Sequence, residues 1–300
     1  MMESITPRWF LKFLPWVPVE SGIYRVNHIE KAQKNNSPLN EYGEKLIATN
    51  YHHINEDTIS ETYANYDDQP KEYMLSLVQT ILRLNTNVTD IFNNPINQKD
   101  EQMRLTIEAM KERQEWEMIN DQEFGLVKNV SPNMKVRSRS GAPTPDDFDE
   151  LLAKVWKKPA FFLAHPKAIA AFGRECTRRG VPPVAVYLYG SPFITWRGVP
   201  LVPCDKLLIN NRAHHYNTRT GKTNILLMRV GENEQGVIGL HQPGIPDEID
   251  VPSLSVKLGG IDNRGIASYI LSLYFSIASL AEDALGMLEN VEVGSYYDYK

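Results

Sequence analysis

The amino-terminal segment constrains the fold more than any other part of this chain, because it is apolar and aromatic. Residues 9–19 read WFLKFLPWVPV. A continuous apolar patch of this kind is seldom left exposed on a folded protein. The segment must therefore be covered, and two arrangements remain open. It packs into the core of its own domain, or it lies as a terminal arm across a partner subunit.

The same segment has neither the pattern of a secretory signal nor that of a membrane span. A secretory signal places a basic stretch before an apolar run of roughly 7–15 residues. Here Pro15 and Pro18 interrupt the run and Glu20 follows it. A membrane-spanning helix needs about 20 apolar residues, and no stretch of the sequence offers them without polar interruption. We therefore predict a cytoplasmic protein with no membrane partner.

Size and charge exclude several other classes of protein. A chain of 300 residues is long enough to bury a substantial core in one large or two modest domains. Its formal net charge of −5 provides no overall cationic field, so no nucleic-acid partner is predicted. Two cysteines, Cys176 and Cys204, are too few for a disulfide scaffold.

The sequence contains no complete catalytic or ligand-binding motif. Residues 221–223 read GKT, as at the end of a phosphate-binding loop, but Tyr216 stands where that motif requires glycine. The histidine pairs at 52–53 and 214–215 point to opposite faces of any strand, so neither forms a two-ligand metal site. Cys176 is a nucleophile only with a histidine base nearby. We predict no enzymatic activity, no catalytic residue, no metal and no cofactor, and we favour a structural or assembly role.

Residues 100–120 are predicted to form an amphipathic helix. Met103, Ile107 and Met110 recur at the spacing of one helical face. Opposite charges four residues apart, such as Lys111 and Glu115, are expected on the solvent side of this helix. We assign no chemistry to this run of charges.

The central part of the chain reads as a compact unit of alternating helices and strands. Thr144 precedes Pro145 and two aspartates, a pattern typical of a helix start. A short buried strand is predicted over residues 160–164. A second helix begins at Pro166 and ends at Gly180, and further strands follow.

Three segments stay ambiguous from residue patterns alone. Residues 73–84 fit a helix or a buried strand. Residues 266–287 also fit either element, although the β-branched and aromatic side chains slightly favour a strand. Residues 30–70 suit a protruding hairpin or a disordered linker.

Several stretches resemble the family 2A encapsulins, shell proteins related to the capsid proteins of tailed phages. The amino-terminal stretches SITPRWF (4–10) and WVPVESGIYRVN (16–27) look like the arm of that family. Residues 82–93 together with 101–108 are similar to its run into the spine helix. Residues 143–206 resemble the central portion of phage-type axial domains. The resemblance covers nearly the whole chain.

The resemblance implies an α+β protein with the Hong Kong 97-type phage capsid fold. The implied parts are an amino-terminal arm (1–40), an extended loop (41–75), a peripheral domain with the spine helix (76–140 and 256–300) and an axial domain (141–255). The family pattern also favours strands over residues 73–84 and 269–277.

The function implied by the resemblance is self-assembly into a closed icosahedral nanocompartment. Sixty copies would form a homo-oligomeric shell in the bacterial cytoplasm and enclose a cysteine desulfurase cargo, for sulfur metabolism or storage. The alternative is a phage or prophage major capsid protein that packages DNA. The net negative charge and the family-specific arm argue against the alternative.

Two sets of site residues follow from the resemblance. The loop after the second central helix stands where relatives line the five-fold opening of the shell; it comprises Arg178, Arg179, Gly180, Val181, Pro182 and Pro183. The two arginines either favour passage of anions and zwitterions or simply cap the helix. The arm is expected to contact a neighbouring subunit through Trp9, Phe10, Phe13, Trp16 and Tyr24.

Overall fold

The computed structural model of the chain describes residues 6–26, 70–85, 97–210, 221–249, 252–294 and 296. The helices are α1 (Trp9–Phe13), α2 (Gln98–Asn120), α3 (Leu126–Asn129), α4 (Pro145–Lys154) and α5 (Pro166–Arg178). The strands are β1 (Trp16–Pro18), β2 (Ile23–Val26), β3 (Lys71–Met74), β4 (Ser76–Asn85), β5 (Lys135–Arg137), β6 (Phe161–Ala164), β7 (Val184–Leu188), β8 (Ser191–Trp196), β9 (Val199–Pro203), β10 (Lys222–Met228), β11 (Val237–His241), β12 (Leu254–Ile261), β13 (Ile266–Ser279) and β14 (Leu285–Glu292).

A five-stranded sheet is organised around the long strand β13. Strands β4 and β12 both run antiparallel to the first part of β13, and β11 runs antiparallel to its last residues. Strand β1 extends the sheet by pairing parallel with β11. Of the three ambiguous segments, residues 73–84 are divided between the end of β3 and most of β4, and residues 269–277 lie in β13, so both strand predictions are confirmed. Strands β2 and β3 form a separate two-stranded ribbon.

A seven-stranded sheet has the order β5-β14-β10-β6-β9-β8-β7. Helices α4 and α5 pack beside it, and their Phe148 and Phe172 rings stack with centroids 4.0 Å apart. The predicted start of α4 is confirmed as a capping box, in which Thr144 and Asp147 exchange hydrogen bonds. Strand β7 forms one edge of the sheet, and its Val184 and Tyr187 are 71% and 77% exposed.

Helix α2 confirms the predicted helix over residues 100–120. It begins at Asn97, whose side-chain oxygen accepts hydrogen bonds from the backbone N–H groups of Lys99 and Asp100. The helix packs on β4, β13 and the short helix α3. A continuous hydrophobic core includes residues of α2 and of both large sheets, so the two sheets are parts of one packed body.

The strands divide between the two sheets differently from the predicted domain boundaries. Strand β11 lies within the predicted axial segment 141–255 but belongs to the five-stranded sheet. Strand β14 lies within the predicted peripheral segment 256–300 but pairs with β10 and β5 in the seven-stranded sheet. Pairing between segments far apart in sequence leaves no local pattern, which is why sequence reasoning missed it. The division into peripheral and axial domains stays a prediction.

Most of the predicted extended loop, residues 41–75, lies outside the described residues, as do residues 27–40 of the predicted arm and both histidine pairs. The part of that loop that the structure describes, residues 70–75, includes β3. The GKT run at 221–223 leads into β10, where Lys222 pairs with Glu292 of β14.

Candidate functional site

The helix of the amino-terminal arm, α1, rests on aromatic side chains of the same chain. Phe10 is fully buried. The Trp9 ring meets Phe193 edge-on at a centroid distance of 5.2 Å. Phe13 contacts Phe161, Tyr189 and Phe193 at 5.2–5.5 Å. These edge-to-face geometries are favourable for aromatic pairs. The arm therefore packs specifically against its own subunit.

Trp16 fixes the next part of the arm. Its indole Nε1 donates a hydrogen bond to the backbone oxygen of Leu11 at 3.1 Å. Its ring lies directly over Gly239 of β11, where an added Cβ would stand only 2.7 Å from Trp16 Cε3. A glycine at this position is therefore required by the close approach of the indole.

Tyr24 attaches the β2–β3 ribbon to the body of the subunit. Its hydroxyl donates a hydrogen bond of 2.7 Å to Glu232. Partial burial and this carboxylate raise the pKa of Tyr24 to about 12. In the same ribbon, the Tyr73 hydroxyl donates to the backbone oxygen of Ser279 at 2.7 Å.

The five predicted arm residues thus all have partners within their own chain, which corresponds to the first of the two arrangements left open by the sequence. Phe10 has no surface left for another molecule in this conformation, whereas Trp9, Phe13, Trp16 and Tyr24 are half-buried. Contact of this arm with a neighbouring subunit stays a prediction.

An ion network ties the arm to α2 and to the loop after β9. Arg8 Nη1 lies 3.2 Å from Glu115 Oε2, and Arg8 Nη2 lies 3.6 Å from Glu112. Lys206 Nζ lies 2.5 Å from Glu112 and 2.9 Å from Asp205. Glu115 is only 3% exposed. The expectation that Glu115 lies on the solvent side of α2 with Lys111 is therefore wrong, because the arm covers it.

Glu115, Cys204 and Asp205 bring three potential metal-ligating atoms within 4.8 Å of one another. They fit a metal poorly, because the carboxylates of Glu115 and Asp205 already face the cations Arg8 and Lys206. Burial also raises the pKa of the Cys204 thiol well above its usual value. A protonated thiol is not a metal ligand.

We expect Glu115 to give the chain a specific pH dependence. Burial raises the pKa of Glu115 above its ordinary value, although Arg8 lowers it. The native state therefore binds more protons than the unfolded state between the two pKa values. The stabilisation from Glu115 is fully present below the unfolded pKa and is lost as the pH rises through the folded pKa.

The test is denaturant unfolding of the wild type and Glu115→Gln from pH 4 to pH 8. The wild type's unfolding free energy, relative to that of the variant, should decrease as the pH rises. An exposed Glu123→Gln variant controls for the removal of one negative charge. A relative stability that increases with pH would contradict the assignment.

The candidate pore loop begins at the carboxyl end of α5, which is fixed by a defined capping motif. Gly180 has φ +71°, in the left-handed region. Its N–H donates to the backbone oxygen of Thr177, and the N–H of Val181 donates to that of Cys176 at 2.9 Å. This pair of bonds is the Schellman motif, which commonly places glycine at this position. Residues 180–182 are exposed, and Pro183 is half-buried.

Both arginines of this loop are paired with one buried carboxylate. Arg178 Nη1 lies 2.7 Å from Glu175 Oε1, and Arg179 Nη1 contacts Glu175 Oε2. The Glu175 side chain is 5% exposed. Sequence reasoning missed Glu175, although its spacing of three and four residues from the arginines was a usable signal. The arginine side chains remain 44% and 39% exposed.

Cys176, the residue considered as a nucleophile, lies in the core beneath this loop. It is fully buried. Burial raises the pKa of its thiol to about 11. The thiolate is the nucleophilic form of cysteine, and a thiol with a raised pKa stays protonated at neutral pH. We therefore assign Cys176 a role in core packing.

The comparison with known families decides the class of protein. The family model described as "SrpI-like: Type 2A encapsulin shell protein SrpI-like" matches residues 32–295. The chain belongs to the type 2A encapsulin shell protein family. The resemblance inferred from the sequence is confirmed.

Individual relatives agree with the type 2A encapsulin family. The type 2A encapsulin shell protein SrpI of Synechococcus elongatus is 52% identical over 299 residues, covering all of this chain and 90% of SrpI. In the solved holo-SrpI encapsulin complex from that organism, the matching chain has a TM-score of 0.82, with 100% of this chain and 93% of the other covered.

A more distant match concerns the fold alone. The capsid of a native GTA particle has a TM-score of 0.62 at 9% identity, covering 97% of this chain and 93% of the other. Together with the encapsulin match, it confirms the α+β Hong Kong 97-type capsid fold. None of the helices in the described ranges has the length and apolar content needed to cross a bilayer.

Proposed function

We propose that this chain self-assembles into a closed icosahedral nanocompartment of sixty copies in the bacterial cytoplasm. The shell would enclose a cysteine desulfurase and serve sulfur metabolism or storage. The observation that carries the proposal is the full-length likeness to SrpI, whose solved structure is described as a holo-encapsulin complex. Nothing in this proposal requires the shell itself to be an enzyme.

The surface of the subunit supports assembly on independent grounds. Large apolar side chains are exposed on β7, on β4 and on β12, including Tyr187, Ile81 and Leu258. Large apolar side chains left exposed in this way are typical of protein–protein contact surfaces. Strand β7 also leaves the hydrogen-bonding groups of one sheet edge unpaired within the described part of the chain. A neighbouring subunit would cover both features.

We further propose that residues 178–183 line the five-fold opening of the shell. The group formed by Arg178, Arg179 and Glu175 carries one net positive charge, and its arginines are partly exposed. A ring of such groups around an opening would attract anions and zwitterions such as cysteine. Capping of α5 by the same arginines is compatible with this role.

The decisive experiment is electron microscopy of the purified full-length protein, expressed with and without a cysteine desulfurase. We expect uniform hollow particles in both preparations and internal density with co-purified desulfurase in the second. An unrelated soluble protein of similar size, co-expressed as a control, should stay outside. A dilute, well-folded monomer would overturn the shell proposal, and particles containing nuclease-resistant DNA would favour the phage capsid alternative.

A further inference from the structure

A histidine caps the start of helix α5, a role that asparagine, aspartate, serine or threonine usually fills. His165 is the N-cap residue, and Pro166 occupies the first helical position. The backbone N–H of Lys167 donates a hydrogen bond of 3.1 Å to His165 Nδ1. The backbone oxygen of His165 accepts from the N–H groups of Ala168 and Ile169. One residue therefore accepts hydrogen bonds from three successive N–H groups of α5.

This cap differs from the usual ones because its accepting atom can take up a proton near neutral pH. A neutral imidazole has one nitrogen that donates and one that accepts. The bond from Lys167 requires Nδ1 to be the acceptor, so the hydrogen of the neutral ring is on Nε2. In the imidazolium form both nitrogens are donors, and the bond is lost. The macrodipole also makes a cation unfavourable at the N-terminus of a helix.

Two neighbouring strands determine which charged groups surround His165. Strands β6 and β9 run parallel, and the N–H of Cys204 donates to the backbone oxygen of Ala164 at 2.9 Å. The loop after β9 therefore begins beside His165. The charged groups that act on the imidazole are Lys167 of α5, which opposes its protonation, and Asp205 of that loop, which favours it.

Burial decides the balance between these influences. It is the largest of them, and it lowers the pKa of His165 below its ordinary 6.5. The attraction of Asp205 is shared with Lys206, whose Nζ lies 2.9 Å from that carboxylate. The thiol of Cys204 adds no charge, because burial raises its pKa well above the usual value.

The sign of the pH dependence follows from this lowered pKa. Between the folded pKa and 6.5, the unfolded chain binds more protons than the native state does. The stability that the neutral cap provides is therefore present above pH 6.5 and is lost as the pH falls through the folded pKa.

We propose that His165 is an acid-sensitive switch, which holds the first turn of α5 at neutral pH and releases it on acidification. The groups released are the backbone N–H groups of residues 167–169. Helix α5 leads at its other end into residues 178–183, so the switch acts on the element that carries the candidate pore loop. It depends only on the cap and is independent of the role proposed for that loop.

The test is hydrogen–deuterium exchange of the purified full-length protein at pH 7.5 and pH 5.0, followed by mass spectrometry over the amides of residues 167–169. His165→Asn is the matched reference, because asparagine caps a helix and does not titrate. The ratio of wild-type to variant exchange rates removes the intrinsic effect of pH on exchange. We expect this ratio to rise by about threefold to tenfold at pH 5.0, since one pKa unit corresponds to a factor of ten.

Three further variants locate the effect in the cap. His165→Ser supplies a second cap that does not titrate, so it should behave like His165→Asn. His165→Ala lacks a cap, and its exchange at pH 7.5 should be about fivefold faster than that of the wild type. His241→Asn removes the other histidine within the described ranges and should keep the wild-type response. Thermal melting confirms that each variant folds.

Three results would overturn the proposal. They are a ratio of wild-type to His165→Asn rates that is the same at both pH values, wild-type protection in His165→Ala at pH 7.5, and a pH response that disappears in His241→Asn. None of these results bears on whether hollow particles form, so the switch and the shell proposal fail separately.

Discussion

Phe10→Ala is expected to lower the unfolding free energy of the dissociated subunit by about 3–5 kcal/mol. Phe10 is fully buried in the core of its own chain, so removal of its ring leaves a cavity that the surrounding residues fill only in part. The loss should also release the arm, since Phe10 anchors α1 in the hydrophobic core. The measurement is denaturant unfolding at protein concentrations where no particles persist.

This experiment also separates the two arrangements of the arm. The control is Lys12→Ala, which truncates an exposed side chain of the same helix and should change stability far less. Limited proteolysis of the Phe10→Ala subunit should show faster cleavage near the amino terminus. If Phe10→Ala leaves the isolated subunit as stable as the wild type but destabilises assembled particles, Phe10 does not pack in the core of its own chain. The arm then packs on a neighbouring subunit.

The second large effect concerns the arginines of the candidate pore loop. Arg178→Gln/Arg179→Gln is expected to lower the unfolding free energy by about 1–3 kcal/mol, because it leaves the Glu175 carboxylate, which is 5% exposed, without a counter-charge. Addition of Glu175→Gln removes the uncompensated charge and should restore most of the loss. Thermal and denaturant unfolding of the double and triple variants measure both effects.

Rescue by Glu175→Gln is expected only if the arginines neutralise a buried carboxylate. If the arginines acted only through exposed charge, the double variant would be nearly as stable as the wild type, and Glu175→Gln would change little. Arg25→Gln in the β2–β3 ribbon is a suitable control, because its partner Glu72 is exposed. Equal losses in the double and triple variants would contradict the paired arrangement.

The pairing with Glu175 also determines how the pore proposal has to be tested. Charge reversal at Arg178 and Arg179 would place three negative charges together and damage the fold, so altered cysteine entry would be uninterpretable. The triple glutamine variant keeps the site intact and changes the net charge of the group from +1 to 0. Slower cysteine entry into shells of this variant would support the pore assignment, and unchanged entry would argue against it.

Elements governed by local patterns were predictable from the sequence. The cap at Thr144, the proline start of α5 and the glycine at 180 each depend on neighbouring residues, and the structure contains all three. The long strand β13 was harder, since its apolar residues also fit a helix and side-chain type favoured a strand only slightly. Its identity depends on pairing with the adjacent β12 and also with β4 and β11, of which β4 is far away in sequence.

The environment of the candidate site was less predictable, because burial is decided by elements that arrive from elsewhere. Glu115 looked like a surface charge on an amphipathic helix until the arm covered it and brought Arg8 to it. The requirement for glycine at 239 is likewise set from elsewhere in the chain, because Trp16 of the arm lies over this position in β11. Family resemblance supplied the fold, whereas the partners of each charge came only from the structure.

The open edge of the seven-stranded sheet has a consequence for how cells must handle this protein. A newly made subunit presents β7 with its tyrosine and valine uncovered, and such an edge pairs readily with whatever strand it meets. Correct assembly of the shell and irreversible aggregation of subunits then compete for the same surface. If subunits are synthesised faster than they assemble, we expect them to accumulate in inclusion bodies. The rate of expression, more than the stability of the subunit, would then determine the yield of assembled compartments.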